Sequence, residues 1–289
     1  MLQTTSVFDA LSASSRAERL EALDVGEGRA SAIWRNSHDR MRYERPDGHT
    51  LSCYVRGGGG TRRIDAGSVA GWPGALCMMP QGASSEWEIT EQFEFVHLYM
   101  SDAELRRMFS ETFDRDARLM RLPEATFATF PRLTGSLVDL AQATVSGDPL
   151  RAHVAITEAV AHLFADPRYG GQRSVSLKGG LSPRTRRRLL DYIEASLANP
   201  ISLRDLGDVA GLSEFHLQRM FRISCGVSPH SHILQRRIAK AKRMLAGSEP
   251  IAQIAPACGF SSQSHLSRMF KVVTGATPLA WRRALAALR

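Results

Sequence analysis

One helical signature is written twice in the last third of this chain, 49 residues apart. The first copy is Ala-Gly-Leu-Ser-Glu-Phe-His-Leu-Gln-Arg-Met-Phe (Ala210 to Phe221), followed by Gly226-Val-Ser-Pro229. The second is Cys-Gly-Phe-Ser-Ser-Gln-Ser-His-Leu-Ser-Arg-Met-Phe (Cys258 to Phe270), followed by Gly275-Ala-Thr-Pro278. A repeat constrains architecture before any local propensity does, because both copies must fold into the same unit. In the first copy Leu203, Leu206 and Val209 or Ala210 mark the inner face of a helix. Gly211 supplies a left-handed stop and Ser213 caps the next helix. Two helices across a turn of about three residues make a helix-turn-helix, and the chain predicts two of them.

The spacing also assigns faces. Leu217, Met220 and Phe221 stand at i, i+3 and i+4 and turn inward, which leaves Phe215, Gln218, Arg219 and Arg222 outside. In the second copy Leu266, Met269 and Phe270 turn inward. Gln263, Ser264, Ser267, Arg268 and Lys271 face out. Long donors near the start of such a helix are what base edges in a major groove require. Arg219 and Arg268 occupy the same repeat position and are the first candidates for base contact. A helix from Pro229 to about Leu245 joins the units and spans roughly 25 Å, enough for two readers to enter successive grooves. Its basic run, Arg236, Arg237, Lys240, Lys242 and Arg243, is open to phosphate or to solvent.

Charge is divided in the same way. Residues 1–177 hold 19 Lys+Arg against 23 Asp+Glu, and residues 178–289 hold 18 against 6. A basic half of this kind points to a polyanion, with nucleic acid the usual one and a membrane surface the alternative. No stretch reads as a signal core or approaches 18 consecutive apolar residues, so a cytoplasmic protein without membrane contact is expected. Cys53, Cys77, Cys225 and Cys258 show no paired C-x-x-C spacing and are expected as buried thiols.

The front half reads differently. Ala30–Arg35, Thr50–Arg56, Ala75–Met79, Glu86–Thr90 and Phe93–Met100 are short strand candidates for a small antiparallel barrel or sandwich. Gly57–Gly60 is expected as a hairpin turn. Helical patterns follow at Asp102–Phe109, Pro131–Val145 and Pro149–Ala165, and then a Gly-rich polar stretch, 166–180, reads as a linker. Phe93, Phe95, His97 and Tyr99 alternate onto one strand face, and Trp34, Tyr54 and Trp87 are candidates to join them. Core packing is the plain account of such residues. His97 and Tyr99 stand out because a polar tip inside a barrel needs a partner.

From Leu181 to Leu288 the chain resembles the AraC/XylS family of bacterial transcription regulators. The likeness rests on the Ala-Gly-Leu-Ser…Leu-x-Arg-x-Phe unit, Arg237-Ile-x-x-Ala-Lys-x-x-Leu, and Ile251-Ala-x-Ile-Ala…Gly-Phe-Ser-Ser-Gln-Ser…Arg-Met-Phe-Lys, closed by Thr277-Pro278…Trp281-Arg282. The resemblance implies that both units bind double-stranded promoter DNA, with Phe215, Gln218 and Arg219 reading bases in one and Gln263, Ser264, Ser267 and Arg268 in the other. It further implies an activator, a homodimer, and RNA polymerase as a partner. Two positions depart from the family pattern. Gly207 stands where Ala is general and should weaken its helix by up to about 1 kcal/mol. Pro256 falls inside the matching helix of the second unit.

The front half is similar to the cupin-type sensor domain of the same family. Gly74-x5-Pro80-x-Gly82-x2-Ser85-x2-Glu88 resembles the second cupin motif, with Ser85 where metal-binding members carry His. The expected fold is therefore multidomain. Residues 1–165 form a cupin-like antiparallel β-barrel with accessory helices, 166–180 a linker, and 181–289 an all-α domain with helix-turn-helix units at about 202–223 and 250–273. The expected function is effector-controlled DNA binding, with Trp34, Tyr54, Trp87, His97 and Tyr99 as effector candidates. No catalytic residue, cofactor or metal is expected. One alternative keeps the DNA binding and leaves the front half for dimerisation or protein contact, through Leu133–Leu140 or Val154–Leu163. Another is a cupin-type metalloenzyme, for which His49, His97 and Glu88 are the available trio.

Overall fold

The structure is a computed structural model that describes residues 6–67, 69–169 and 179–287. The chain forms two compact units. One holds Met1–Leu105 and Arg121–Gln172, the other Arg106–Met120 and Arg173–Arg289.

The first unit is β-rich. After a short helix, α1 (Val7–Ala13), come β1 (Glu18–Gly26), β2 (Arg29–Asn36), β3 (Asp39–Tyr43), β4 (His49–Arg56), β5 (Thr61–Arg63), β6 (Leu76–Met79), β7 (Ser85–Ile89) and β8 (Phe93–Met100). β9 (Ala125–Ala128) follows α2 (Asp102–Phe113). The strands pair antiparallel into a six-stranded sheet, β1-β2-β8-β4-β6-β9, and a three-stranded sheet, β3-β7-β5. Alternation decides what each sheet buries. On β7, Ser85, Trp87 and Ile89 turn in while Glu88 is exposed. Trp34, Tyr54, Cys77, Phe93 and Phe95 of the larger sheet share one buried core with Met41, Tyr43 and Trp87 of the smaller. The opposite face of the larger sheet packs against α3 (Pro131–Ser146) and α4 (Pro149–Ala165). Asp148 starts α4 by accepting from the Leu150 and Arg151 amides.

Three sequence expectations are revised here. Gly57–Gly60 is a turn, but β4 and β5 lie in different sheets, so it carries the chain between sheets and closes no hairpin. Gly58 lies against the Tyr54 ring, where a Cβ would come within 2.4 Å. β1, β3, β5 and β9 have no counterpart among the expected strands; the first seven residues of β1 bury no side chain and show no apolar alternation. α2 runs to Phe113, one turn beyond the apolar pattern that suggested it.

The second unit is helical: α5 (Pro183–Ser196), α6 (Leu203–Ala210), α7 (Glu214–Cys225), α8 (Pro229–Leu245), α9 (Ile251–Ala257), α10 (Gln263–Thr274) and α11 (Pro278–Ala287). The last residues of α2 and a 3-10 turn at Ala117–Leu119 cluster with it. Of the 166–180 stretch expected as a linker, residues 170–178 lie outside the described residues. No helix among the described residues is long and apolar enough to cross a membrane.

Candidate nucleic-acid interface

The two helix-turn-helix units are set by matched local devices. Ser202 and Asp205 form a reciprocal capping box at the start of α6. Gly211 ends that helix at φ 69°, and Ser213 caps α7 by accepting the His216 amide. In the second unit Gly259 takes φ 78° and Ser262 accepts the His265 amide at 3.1 Å to start α10. Gly226 and Gly275, at φ 83° and 75°, close α7 and α10 with matching amide bonds to Arg222 and Lys271 carbonyls. Ser228 then caps α8, and Thr277 accepts the Ala280 amide in α11. Each device meets helix-end groups that would otherwise lack partners.

Burial follows the repeat. Leu217 and Phe221 in α7, and Leu266 and Phe270 in α10, are fully buried. Met220 and Met269 are only half-buried, so the inward stripe is narrower than i, i+3, i+4 spacing suggests. It continues instead through Cys225 and Val273. On the opposite faces Phe215, Gln218, Arg219 and Arg222 are exposed, as are Gln263, Ser264, Arg268 and Lys271. Ser267 is half-buried. Phe215 leaves 79% of its surface in water and so takes no part in the core.

The joining helix has a structural task that its charge conceals. Arg237 donates from Nε to the Leu197 carbonyl at 3.0 Å and from Nη2 to the Asn199 carbonyl at 2.8 Å. Its guanidinium lies against Gly259, where a Cβ would stand 2.8 Å from Nε and 2.2 Å from the Leu197 oxygen. One side chain on α8 thus ties the end of α5 to the turn before α10. Arg236 pairs with Glu194, and Lys242 lies 4.7 Å from the Trp281 ring centroid. Three members of the basic run are therefore engaged inside the unit, which no charge count reveals. Gly207 is similar: a Cβ there would meet the Leu212 carbonyl at 2.8 Å, so glycine lets the turn close on α6. Pro256 falls in the last turn of α9, two residues before its Cys258 cap, where one missing amide bond costs little.

In the β-rich unit the five effector candidates separate into two groups. Tyr54, Trp87 and His97 line a cavity of about 30 Å3, together with Ser52, Thr61 and Cys77. Trp34 and Tyr99 are absent from its wall and form a chain behind it. Trp34 Nε1 donates to the Tyr99 hydroxyl at 2.9 Å, and that hydroxyl meets His97 Nδ1 at 2.9 Å. Leu11 of α1 also reaches the cavity, and no sequence pattern announced it. His49 lies elsewhere, held between Asp102 at 3.1 Å and the Gln81 amide at 3.0 Å. The strand alternation that exposes Glu88 separates it from His97, so the trio His49, His97 and Glu88 is not brought together. No group of three metal-ligating side chains occurs among the described residues.

Burial pushes His97 down to about 3 from 6.5. The unfolded chain binds a proton near pH 6.5 that the folded unit refuses until about pH 3, so this residue makes stability fall as pH drops through that window. The expected slope is at most about 1.4 kcal/mol per pH unit. Urea unfolding of His97→Phe between about pH 4 and 6.5 should show a shallower pH dependence than the parent chain. An unchanged slope would mean that His97 is accessible to protons in the fold.

Known proteins are similar to the helical unit. The family described as a helix-turn-helix domain matches residues 206–284. The probable transcriptional regulator LumQ of Photobacterium leiognathi is 36% identical over 93 residues, 32% of this chain and 38% of LumQ. The multiple antibiotic resistance protein MarA of Escherichia coli is 37% identical over 95 residues, 32% of this chain and 75% of MarA. A solved AraC-type DNA-binding-domain regulator from Chromobacterium violaceum shares 30% identity, with 36% of this chain and 93% of that one covered and a TM-score of 0.34. The class is a DNA-binding transcriptional regulator built on two helix-turn-helix units. Within that class, the chain belongs to the AraC/XylS family.

Proposed function

We propose that this protein is a sequence-specific activator that reads a bipartite promoter site through α7 and α10. The observation that carries the reading is the pair of outward faces, repeated at a spacing of 49 residues in a strongly basic unit. Arg219, Gln218 and Phe215 serve the first half-site, and Arg268, Gln263, Ser264 and Ser267 the second. Arg222 and Lys271, one turn further along, reach the flanking phosphates. Arginine pairs with guanine, glutamine with adenine, and an exposed ring with a thymine methyl. Phe215→Ala is expected to weaken binding and to abolish preference for thymine over uracil at one position, measured by fluorescence anisotropy on duplexes differing by that methyl. Equal loss on both duplexes would refute the methyl contact.

In this reading the protein acts in the cytoplasm as a homodimer, is not an enzyme, and works by engaging RNA polymerase. The β-rich unit is a cupin-like shell for a small effector, with Tyr54, Trp87 and His97 at its wall and Trp34 and Tyr99 orienting His97. A cavity of about 30 Å3 holds only one or two waters. An effector must therefore spread the two sheets or displace Leu11. That size favours the second reading, in which this unit dimerises or binds protein. Val138, Val145 and Val154 are exposed on α3 and α4 and suit such a contact. Thermal unfolding of the chain against a metabolite panel separates the two: a ligand at about 100 times its Kd adds about 2.7 kcal/mol.

A further inference from the structure

The helical unit holds a second cavity, of about 220 Å3, among Ser110, Glu111, Arg186, Cys225, His232 and Arg236. All of these residues belong to the same compact unit. Its wall carries an unmet pair. His232 Nδ1 and Glu111 Oε1 lie 3.5 Å apart, both atoms are buried, and neither has a hydrogen-bond partner. His232 is only 6% exposed, and the other Glu111 oxygen accepts from Arg107. Buried polar atoms without partners are rare in folded proteins, and bound water or ligand usually accounts for them. Protonation does not close this gap. Burial, with Arg236, Arg107 and Arg186 nearby, holds His232 down to about 3, so it stays neutral at ordinary pH.

The remaining wall narrows the occupant. Arg186 Nη2 donates to Asp114 at 2.8 Å and Arg236 Nε pairs with Glu194, which leaves further N–H groups on both forks. Arg186 and Arg236 on the wall, with Arg107 paired to Glu111 beside it, balance Glu111, Asp114 and Glu194, so a guest with net charge would upset that balance. The volume lies below that of sites for drug-sized ligands. We propose that this cavity binds a compact zwitterion of amino-acid size. Its ammonium donates to Glu111 Oε1 and His232 Nδ1, and its carboxylate accepts from Arg186 and Arg236. His232 and Arg236 both sit on α8, so an occupant braces the helix that spaces α7 from α10.

Calorimetry of the full chain without DNA tests this, using the common amino acids as probes and methylammonium and acetate as half-ligands. Saturable binding of a subset of amino acids is expected, with both half-ligands at least about tenfold weaker. Glu111→Gln and His232→Phe should each weaken binding at least about tenfold, while Gly247→Ala leaves it unchanged. Arg236→Gln provides a third variant should either of the first two unfold. The proposal is overturned if no amino acid saturates up to about 10 mM, if half-ligands bind equally well, or if the variants bind normally. A crystal structure of the saturated protein with only water between Glu111 and His232 would also overturn it. Because DNA is absent, failure here leaves the promoter-binding reading untouched, and the reverse holds.

Discussion

Gly259→Ala is expected to lower the stability of the helical unit by about 3 kcal/mol and to weaken binding to a bipartite DNA site in parallel. Two costs combine. Alanine at φ 78° meets the steric penalty of left-handed backbone. Its Cβ would also stand 2.2 Å from the Leu197 carbonyl, which Arg237 already holds. Relief requires that carbonyl to move, and the Arg237 fork with it, which loosens the tie between α5 and α10. Urea unfolding gives the first number and anisotropy on full and single half-sites the second. The full site should suffer more than either half, because spacing is what fails. Gly247→Ala is the control: its nearest neighbour is the Met244 oxygen at 3.4 Å, and a change within about 0.5 kcal/mol is expected. If both variants behave alike, the Arg237–Gly259 contact does not set the joint.

Arg219→Ala and Arg268→Ala are each expected to cost about 1–3 kcal/mol in specific binding and to relax discrimination at one base. They lie on separate helices, α7 and α10, joined by α8, so the double variant should lose the sum within about 0.5 kcal/mol. Binding to scrambled duplex should change far less, because phosphate contacts supply most of it. Affinity of the parent chain should itself fall steeply between low and physiological salt. Equal losses on specific and scrambled DNA would make the two arginines phosphate contacts and move base reading to Gln218 and Gln263.

The sequence by itself determined the helical half. Its caps, stops and outward faces are local devices, written within four or five residues of where they act, and the register between copies exposes them. Ser213 and Ser262, Gly226 and Gly275, Leu217 and Leu266 hold the places that spacing assigns to them. Strand alternation on β8 was legible for the same reason, since the face each side chain takes is a local property, but the burial of both faces of β8 was not. Tertiary structure decided whatever depends on residues far apart in the chain. The Gly57–Gly60 turn passes between two sheets, and Leu11 reaches the cavity beside His97. Arg237 is a fastener where charge alone left phosphate or solvent open. Glu111 meets His232 across 121 positions of sequence. Hydrogen bonds and burial of that kind form only once distant segments are packed together, and no periodicity records them.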